Sequence, residues 1–402
     1  MKPTQKLSTF FSLYLAQAVP LSLFSTLLPV LMRQDSFSLS AIGMLQLIKL
    51  PWILKFLWAP LVDKKTKGLK DYKRWIIGSE LVYAALIFSI ALLDLRLDFN
   101  LVFVLMILSF AASATQDIAT DALTALSFSR KDRGRGNSMQ SMGSFAGTLV
   151  GGGLLMILFK QIGWTTLLLG VSFFLLLAVL PLLSYKKADL VFKKSKDKVS
   201  FKDLGTFFAQ KGVLRQVLFL LFIQAGIIGI LAMYKPYLVD QGFELKEIGL
   251  MFGIFGPFFG ILASFLGGFM LRKVQRYTAK RIIAILVLQV PLFFMALTGT
   301  TPDRILLYGF VAFMWTAYGL ASVLVNTVAM DYVRSGKEGT DFTLQTVLVH
   351  LSSMIVAIMS GKIADMSGYA GLGRIEFVIA MISILVVSIG GKSKAYVDEK
   401  HS

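Results

Sequence analysis

The sequence contains no cysteine and only two histidines in 402 residues. The first absence excludes disulfides, thiol catalysis and thiolate metal sites, and the second argues against a histidine-rich metal site. Charge is also scarce, because 16% of the residues are charged, whereas soluble domains carry about 25%. No P-loop pattern GxxxxGK[ST] occurs. We therefore expect neither ATP coupling within the chain nor a cofactor.

Long apolar runs take the place of the missing charge. Hydrophobic residues make up 56% of the chain, and the mean hydropathy is +0.71. A helix needs about 20 consecutive apolar residues to cross a bilayer. The sequence therefore predicts an all-α membrane protein with twelve transmembrane helices. The runs are 8–32, 39–62, 74–94, 99–126, 138–159, 164–184, 214–238, 246–271, 281–298, 304–332, 342–364 and 372–390.

Basic residues are distributed unevenly between alternate loops. With the N-terminus in the cytoplasm, 31 of the 41 Lys and Arg residues fall in the two tails and the even-to-odd loops. This bias follows the positive-inside rule and predicts a bacterial inner-membrane protein with both termini cytoplasmic. We attribute the net charge of +18 to basic loops that contact the anionic headgroups of the lipid bilayer, and we expect no nucleic-acid partner. The six basic residues on the opposite side are Arg33, Arg96, Lys160, Lys246, Arg304 and Arg374.

The chain divides into two halves of six runs each. The string "FSLSAIGMLQL" begins at Phe37, and "FELKEIGLMFG" begins 206 residues later at Phe243. This echo, and two weaker ones at similar offsets, indicate a parallel duplication, which is a transporter layout. The predicted parts are an N-terminal half (1–184), a basic cytoplasmic linker (185–213), a C-terminal half (214–390) and a cytoplasmic tail (391–402).

A polar stripe marks the end of the fourth run, in "SATQDIATDAL" (113–123). Its side chains recur at helical spacing and share one face. Carboxylates inside a membrane are costly and usually functional, so we predict that Asp117 and Asp121 couple transport to protons. The alternative is that lysines neutralise both acids and merely hold helices together. The stripe comprises Ser113, Gln116, Asp117, Thr120, Asp121 and Thr124.

Two lysines of the second run are candidates for that neutralising role. Counting about 1.5 Å per residue from the helix ends places Lys55 level with Asp121, and Lys49 nearly level with Asp117. The depths predict two ion pairs, Lys55–Asp121 and Lys49–Asp117. Lys55 is therefore expected to have a structural or gating role.

Polar side chains deep in other runs are candidates for substrate binding. Hydrogen bonds between amides of neighbouring helices remain the alternative for each of them. The ordinary pKa of histidine lies in a useful range for proton transfer, but His350 also lies close enough in sequence to bond Ser353. The predicted substrate-binding set is Gln17, Gln46, Lys49, Gln116, Gln140, Gln224, Asn326, Gln345 and His350.

Aromatic and glycine residues complete the candidate features. Trp52, Trp58 and Trp315 are candidates for stacking a planar ligand. Glycines 143, 147 and 151 recur every four residues on the fifth run, and such faces allow helices to approach closely. Static packing and a face that slides during transport both remain open.

Three strings resemble one known family. The strings "KFLWAPLVDKK" (55–65), "ATQDIATDA" (114–122) and "RGRGNSMQSMG" (133–143) resemble the AmpG-like branch of the major facilitator superfamily. That branch includes muropeptide permeases, acetyl-CoA transporters and single-chain siderophore permeases. The resemblance implies the major facilitator fold and secondary transport. The shorter strings "LPVLMRQ" and "GTDFTLQ" look more like the siderophore permeases.

The loop after the second run partly matches a superfamily motif, Gly-x-x-x-Asp-basic-x-Gly-basic-basic. Ala59 replaces the first glycine, whereas the acid is retained as Asp63. The resemblance implies that Asp63 bonds a helix end or a basic residue across the two halves and latches one conformation. A solvated loop acid is the alternative.

These features together predict a transporter and not an enzyme. An enzyme would need a nucleophile with a base, or a metal constellation, and no such set is assembled in the sequence. We expect a monomeric, proton-coupled symporter that imports a sizeable polar small-molecule solute. A siderophore is the first candidate, and a muropeptide or an acyl-CoA-type anion are the alternatives.

Overall fold

The structure, a computed structural model, describes residues 3–34, 45–95, 97–186, 190, 199–300 and 303–389. Every regular element within these ranges is helical. The predicted tail (391–402), much of the predicted linker and the side chain of Gln46 lie outside the described part of the chain.

The N-terminal half contains six spans. A helix that begins at Arg133 continues through a π-helical segment, Thr148–Leu154, as far as Ala178. Gly163 interrupts it with a φ of 74°, a conformation that favours glycine because it has no Cβ. We therefore divide it there. The spans are α1 (Pro3–Gln34), α2 (45–65), α3 (Leu69–Ala91), α4 (Phe99–Ser127), α5 (133–162) and α6 (164–178).

The C-terminal half also contains six spans. Its second span, α8, contains a π-helical segment, Met251–Phe255, and its last helix, Glu338–Ile389, is interrupted at Gly368 with a φ of 67°. The spans are α7 (Val213–Asp240), α8 (245–273), α9 (Arg276–Thr298), α10 (Arg304–Asp331), α11 (338–367) and α12 (369–389).

The prediction of an all-α bundle with twelve spans is confirmed. Nine helices in the described ranges are long and apolar enough to cross a membrane. Two of these, 51 residues each, contain the breaks at Gly163 and Gly368 and supply two spans apiece. The twelfth span, α2, is not among these nine helices because it is broken into short helical pieces.

The prediction that α2 is one continuous helix was wrong. It consists of 3₁₀ turns at Leu45–Lys49 and Lys55–Leu57 alternating with α-helical pieces at Leu50–Leu54 and Ala59–Lys65. A proline occupies the first turn of each α-helical piece, where its missing N–H costs nothing, and its ring prevents the preceding helix from continuing.

The glycine face of α5 packs inside the N-terminal half. A Cβ at Gly143 would lie 2.7 Å from the Cβ of Tyr14, and one at Gly147 would lie 2.9 Å from the carbonyl carbon of Ala18. These glycines therefore hold α5 against α1. The close approach between halves uses Gly153, since a Cβ there would lie 2.8 Å from the carbonyl oxygen of Gly253 on α8.

The two halves meet through polar contacts at the end of the bundle where α1 begins, which we call the N-side. There Asp63, at the end of α2, accepts hydrogen bonds from the N–H groups of Gly339 (3.3 Å) and Thr340 (2.7 Å). The Thr340 hydroxyl donates a third, at 2.8 Å. Asp63 thus caps the N-terminus of α11 from the opposite half, where backbone N–H groups otherwise lack partners.

Asp331, at the end of α10, forms a second contact between the halves. Its carboxylate accepts from Arg133 of α5 and Arg276 of α9, both at 3.0 Å. Arg276 also donates to the carbonyl oxygen of Arg130 across the interface (2.6 Å). One acid therefore connects three helices and both halves.

The end of the predicted linker is attached to the C-terminal half. Within a short helix, Lys202–Thr206, the Asp203 carboxylate accepts from Lys337 (2.5 Å) and its carbonyl oxygen accepts from Arg334 (2.8 Å). Burial tends to raise the pKa of Asp203, but the Lys337 hydrogen bond and the nearby cations outweigh it and hold that pKa below its usual value. The linker therefore ends in a fixed position on the N-side.

We expect Gly147→Ala to destabilise the protein. The added methyl group would overlap Ala18 of α1, and overpacking of this kind typically costs about 1–3 kcal/mol. The melting temperature of the purified protein in detergent measures the effect. Gly170→Ala is the matched control, because a Cβ at that position meets nothing within 4 Å. Equal melting temperatures for the two variants would contradict the close packing of α5 on α1.

We expect Asp63→Ala to favour opening of the N-side. A lost helix cap costs about 0.5–2 kcal/mol, and this cost applies only to the state in which the halves touch. The chain has no cysteine, so spin labels attached through Lys131→Cys and Lys273→Cys report the separation of the halves directly. The distance distribution should shift to longer values in Asp63→Ala. It should stay unchanged in Asp71→Ala, which removes an acid whose contacts lie within one half.

Candidate functional site

A cavity of about 380 Å³ lies between the two halves. Polar and aromatic side chains from α1, α2, α4 and α5 form one wall, and α7, α10 and α11 form the other. Its volume falls in the usual range of small-molecule sites, about 300–1,000 Å³. The lining residues are Tyr14, Gln17, Ala18, Leu21, Ser22, Trp52, Lys55, Asp117, Asp121, Gln140, Ser144, Phe145, Thr148, Gln224, Ile228, Tyr318, Ser322, Val325, Asn326, Thr346, Val349, His350 and Ser353.

A buried ion pair lies in the wall of this cavity. The Lys55 ammonium donates to the Asp117 carboxylate, and the two residues are 1% and 2% exposed. The ammonium also lies 4.8 Å from the centroid of the Trp52 ring, where the ring's negative face attracts a cation. The pair therefore joins α2 to α4 at mid-depth.

This pairing corrects the two predicted ion pairs. Lys55 bonds Asp117 instead of Asp121, so the pairs Lys55–Asp121 and Lys49–Asp117 were both wrong. The depth count assumed a regular helix, whereas the 3₁₀ turns of α2 rise about 2.0 Å per residue and carry Lys55 deeper. The long lysine side chain extends its reach further. Lys49 is half-buried and does not belong to the cavity lining.

Asp121 is held by uncharged donors. Its Oδ1 atom accepts from the Tyr14 hydroxyl (2.8 Å) and from the Gln140 amide (3.0 Å). Tyr14 comes from α1 and Gln140 from α5, so this carboxyl joins three helices of the N-terminal half. Asp117 and Asp121 lie four residues apart on α4 and both face the cavity, but they have different partners.

Most of the predicted substrate-binding residues meet at the cavity. Gln17 and Gln140 line the N-terminal wall, and Gln224, Asn326 and His350 line the opposite wall. Gln116 lies behind Gln17, because its side-chain oxygen accepts from the Gln17 amide. The structure therefore brings five of the predicted residues together from helices that are distant in sequence.

Gln345 does not belong to this set, and its predicted cavity position was wrong. It is fully buried, and its amide donates to the carbonyl oxygens of Ala329 (2.8 Å) and Asp341 (3.1 Å). Its side chain is therefore bonded to the backbone of α10 and α11, and it is not part of the cavity lining.

The three candidate tryptophans have different surroundings. Trp52 lines the cavity, whereas the Trp58 indole donates to the Thr115 hydroxyl (3.1 Å). Trp315 packs edge-on against Phe145, with 5.7 Å between the ring centroids, and is not part of the lining. The aromatic surfaces at the cavity are instead those of Tyr14, Trp52, Phe145 and Tyr318.

Sequence reasoning missed three buried residues of interest. Tyr14 lies three residues before Gln17 and so shares its helix face, which is the signal that could have identified it. Glu80 and Glu376 are acids within apolar runs, the same signal that singled out Asp117. Neither Glu80 oxygen has a partner among the described residues, and one Glu376 oxygen accepts from Ser360 at 3.2 Å.

The arrangement suits reversible binding of a polar solute. Amides, hydroxyls and aromatic rings from both halves surround the cavity, while the N-side below it is closed by Asp63 and Asp331. Solute bound here would contact both halves at once. Movement of one half against the other would then expose the solute to the opposite end of the bundle.

We expect Lys55 and Asp117 to be coupled in a double-mutant cycle. Lys55→Gln or Asp117→Asn alone leaves an unpaired buried charge, which costs about 3–5 kcal/mol. The combined variant removes both charges and should recover much of the loss in melting temperature. Lys49→Gln, a lysine of the same span outside the cavity, should show no such coupling with Asp117→Asn. Strictly additive effects for Lys55 and Asp117 would show that the ion pair contributes nothing to stability.

Comparison with known sequences identifies relatives over nearly the whole chain. Residues 9–357 match the family described as Major Facilitator Superfamily. An anhydromuropeptide permease of Escherichia coli K12 is 22% identical over 95% of this chain and 79% of the permease. A Rickettsia conorii protein that carries the transporter name AmpG 4 is 22% identical over 95% of both chains. An uncharacterised Haemophilus influenzae protein is 27% identical over 64% of this chain and 62% of its own length.

Solved structures share the fold. The human organic anion transporter TETRAN superposes with a TM-score of 0.70 over 96% of this chain and 100% of that structure, at 15% identity. The transporter FucP in its outward conformation gives 0.69 over 96% of this chain and 99% of that structure, at 14% identity. These identities are too low to carry more than the fold. The family match confirms the sequence resemblance, and the chain belongs to the major facilitator superfamily of membrane transporters.

Proposed function

We propose that this protein imports an anhydromuropeptide-type solute across a bacterial inner membrane by alternating access, coupled to protons. The observation that carries the proposal is the composition of the central cavity. Its lining combines amides, hydroxyls and aromatic rings from both halves, while its charged side chains are Lys55, Asp117 and Asp121. The uneven distribution of basic residues between loops supports cytoplasmic termini.

The chemistry of the cavity fits a sugar-peptide. An anhydromuropeptide consists of N-acetylated amino sugars that bear a short peptide, so it offers hydroxyls, amides and apolar ring faces. Amide and hydroxyl side chains can pair with the polar groups, and aromatic rings such as Tyr318 and Phe145 can cover a sugar face. The E. coli and Rickettsia relatives support this substrate class through their names.

The same lining argues against an acyl-CoA-type anion. Phosphate groups are usually bound by several Arg or Lys side chains, whereas the lining holds one lysine and two acids. That lysine already pairs with Asp117. The siderophore favoured by the short sequence strings remains a prediction, and we treat it as the rival substrate in the transport test.

Asp117 is the proposed proton carrier. Protonation would neutralise its carboxylate and release Lys55 from the ion pair, so the charge pattern of the cavity wall would change with each proton bound. Movement of α2 relative to α4 during the transport cycle would separate the ammonium from the carboxylate and allow proton uptake and release.

We expect cells that lack their own permeases and express this protein to accumulate radiolabelled anhydromuropeptide. A protonophore should abolish the accumulation, and Asp117→Asn should do the same while the folded protein remains in the membrane. Asp98→Asn, which alters a half-buried acid outside the cavity lining, is the matched control and should transport normally. Accumulation of ferric siderophores without anhydromuropeptide would overturn the proposed substrate. Accumulation by Asp117→Asn at the wild-type level would overturn the proposed proton carrier.

A further inference from the structure

Two buried acceptor atoms in the cavity lining have no hydrogen-bond partner among the described residues. Asp121 is 0% exposed, and its Oδ2 atom accepts no hydrogen bond from any described residue. The side-chain oxygen of Gln140 is also buried and accepts no hydrogen bond from any described residue. Both residues line the central cavity. Buried acceptors without partners are uncommon in native proteins, because leaving them unpaired costs free energy.

The neighbouring donors are already committed to other atoms. The Tyr14 hydroxyl and the Gln140 amide both donate to Oδ1 of Asp121. Thr124 cannot help, since its hydroxyl donates to the Thr120 carbonyl oxygen at 2.8 Å. Turning the Gln140 amide over would place its oxygen against Oδ1, which would set two acceptors against each other. With Asp121 ionised, the two free oxygens need a donor from outside this cluster.

We infer that Asp121 and Gln140 form a subsite that binds hydrogen-bond donors of the substrate's sugar, namely hydroxyl or amide N–H groups. The inference rests on the proposed function and assigns one part of the substrate to one part of the cavity. Two adjacent acceptors match a sugar ring that carries neighbouring donors. A site built to receive a hydroxyl also rejects an analogue that lacks it, because the buried oxygens then stay unpaired.

The subsite separates the roles of the two acids on α4. Asp117 has a cationic partner in Lys55, whereas Asp121 has uncharged partners and a free oxygen. Asp117 therefore retains the proposed proton role, and Asp121 positions the sugar. This assignment revises the sequence-based expectation that both acids carry protons.

Binding to the purified full-length protein tests the subsite without a transport step. The probes are the disaccharide N-acetylglucosaminyl-1,6-anhydro-N-acetylmuramic acid and a series of its derivatives, each lacking one hydroxyl. Calorimetry gives the dissociation constant of each probe. We expect at least one deoxy derivative to bind the wild-type protein about tenfold more weakly than the disaccharide. In Asp121→Asn, where an amide donor replaces an acceptor, and in Gln140→Met, that ratio should fall to near one.

Asp98→Asn is the matched control, because Asp98 is an acid outside the cavity lining that accepts a hydrogen bond from the N–H of Asp94. It should preserve the tenfold ratio. Equal binding of every deoxy derivative to the wild-type protein would overturn the subsite even if neither variant folds. A ratio that survives in both Asp121→Asn and Gln140→Met would also overturn it.

The outcome is distinguishable from a failure of the proposed function. If cells accumulate anhydromuropeptide but the purified protein does not bind the disaccharide, the sugar subsite is wrong and the proposed function stands. If neither accumulation nor binding occurs, both are wrong. If Asp117→Asn loses accumulation but keeps the tenfold ratio among the deoxy derivatives, the result would support the division of roles between the two acids.

Discussion

The ion pair between Lys55 and Asp117 is the interaction on which the organisation of the cavity depends. Two charges inside an apolar bundle must satisfy each other, because neither lipid nor neighbouring aliphatic side chains can solvate them. The pair fixes the middle of α2 against α4. It also requires a span whose path suits the lysine, and α2 provides one through alternating 3₁₀ and α-helical pieces.

The same span links the cavity to the closure of the N-side. Lys55 lies in the cavity wall, and Asp63, two turns further along α2, caps α11 of the opposite half. That helix carries His350, which faces the cavity from the other side. A change in the position of α2 would therefore alter both the charged pair and the contact that holds the halves together. This connection gives a physical route by which occupancy of the cavity can influence which end of the bundle is open.

The polar stripe on α4 serves several neighbours at once. Gln116 bonds Gln17 of α1, Asp117 bonds Lys55 of α2, and Asp121 bonds residues of α1 and α5. A helix surrounded by other helices can distribute polar groups around its circumference only if each direction offers a partner. The one oxygen of Asp121 without a partner lies in the part of the stripe that borders the cavity.

The sequence by itself determined the spans, the duplication and the family. Apolar runs of about 20 residues must become helices in a bilayer, since every backbone group has to be satisfied within the segment. It also identified the amide and charged residues of the cavity lining, because polar groups deep in such runs must face inward. The sequence did not determine the partners of those residues. Lys55 pairs with Asp117 because of the irregular path of α2, and Gln345 instead bonds the backbone carbonyl oxygens of Ala329 and Asp341. The absence of a partner for an oxygen such as Asp121 Oδ2 among the described residues also depends on tertiary structure, because only the packing shows which donors already bond other atoms.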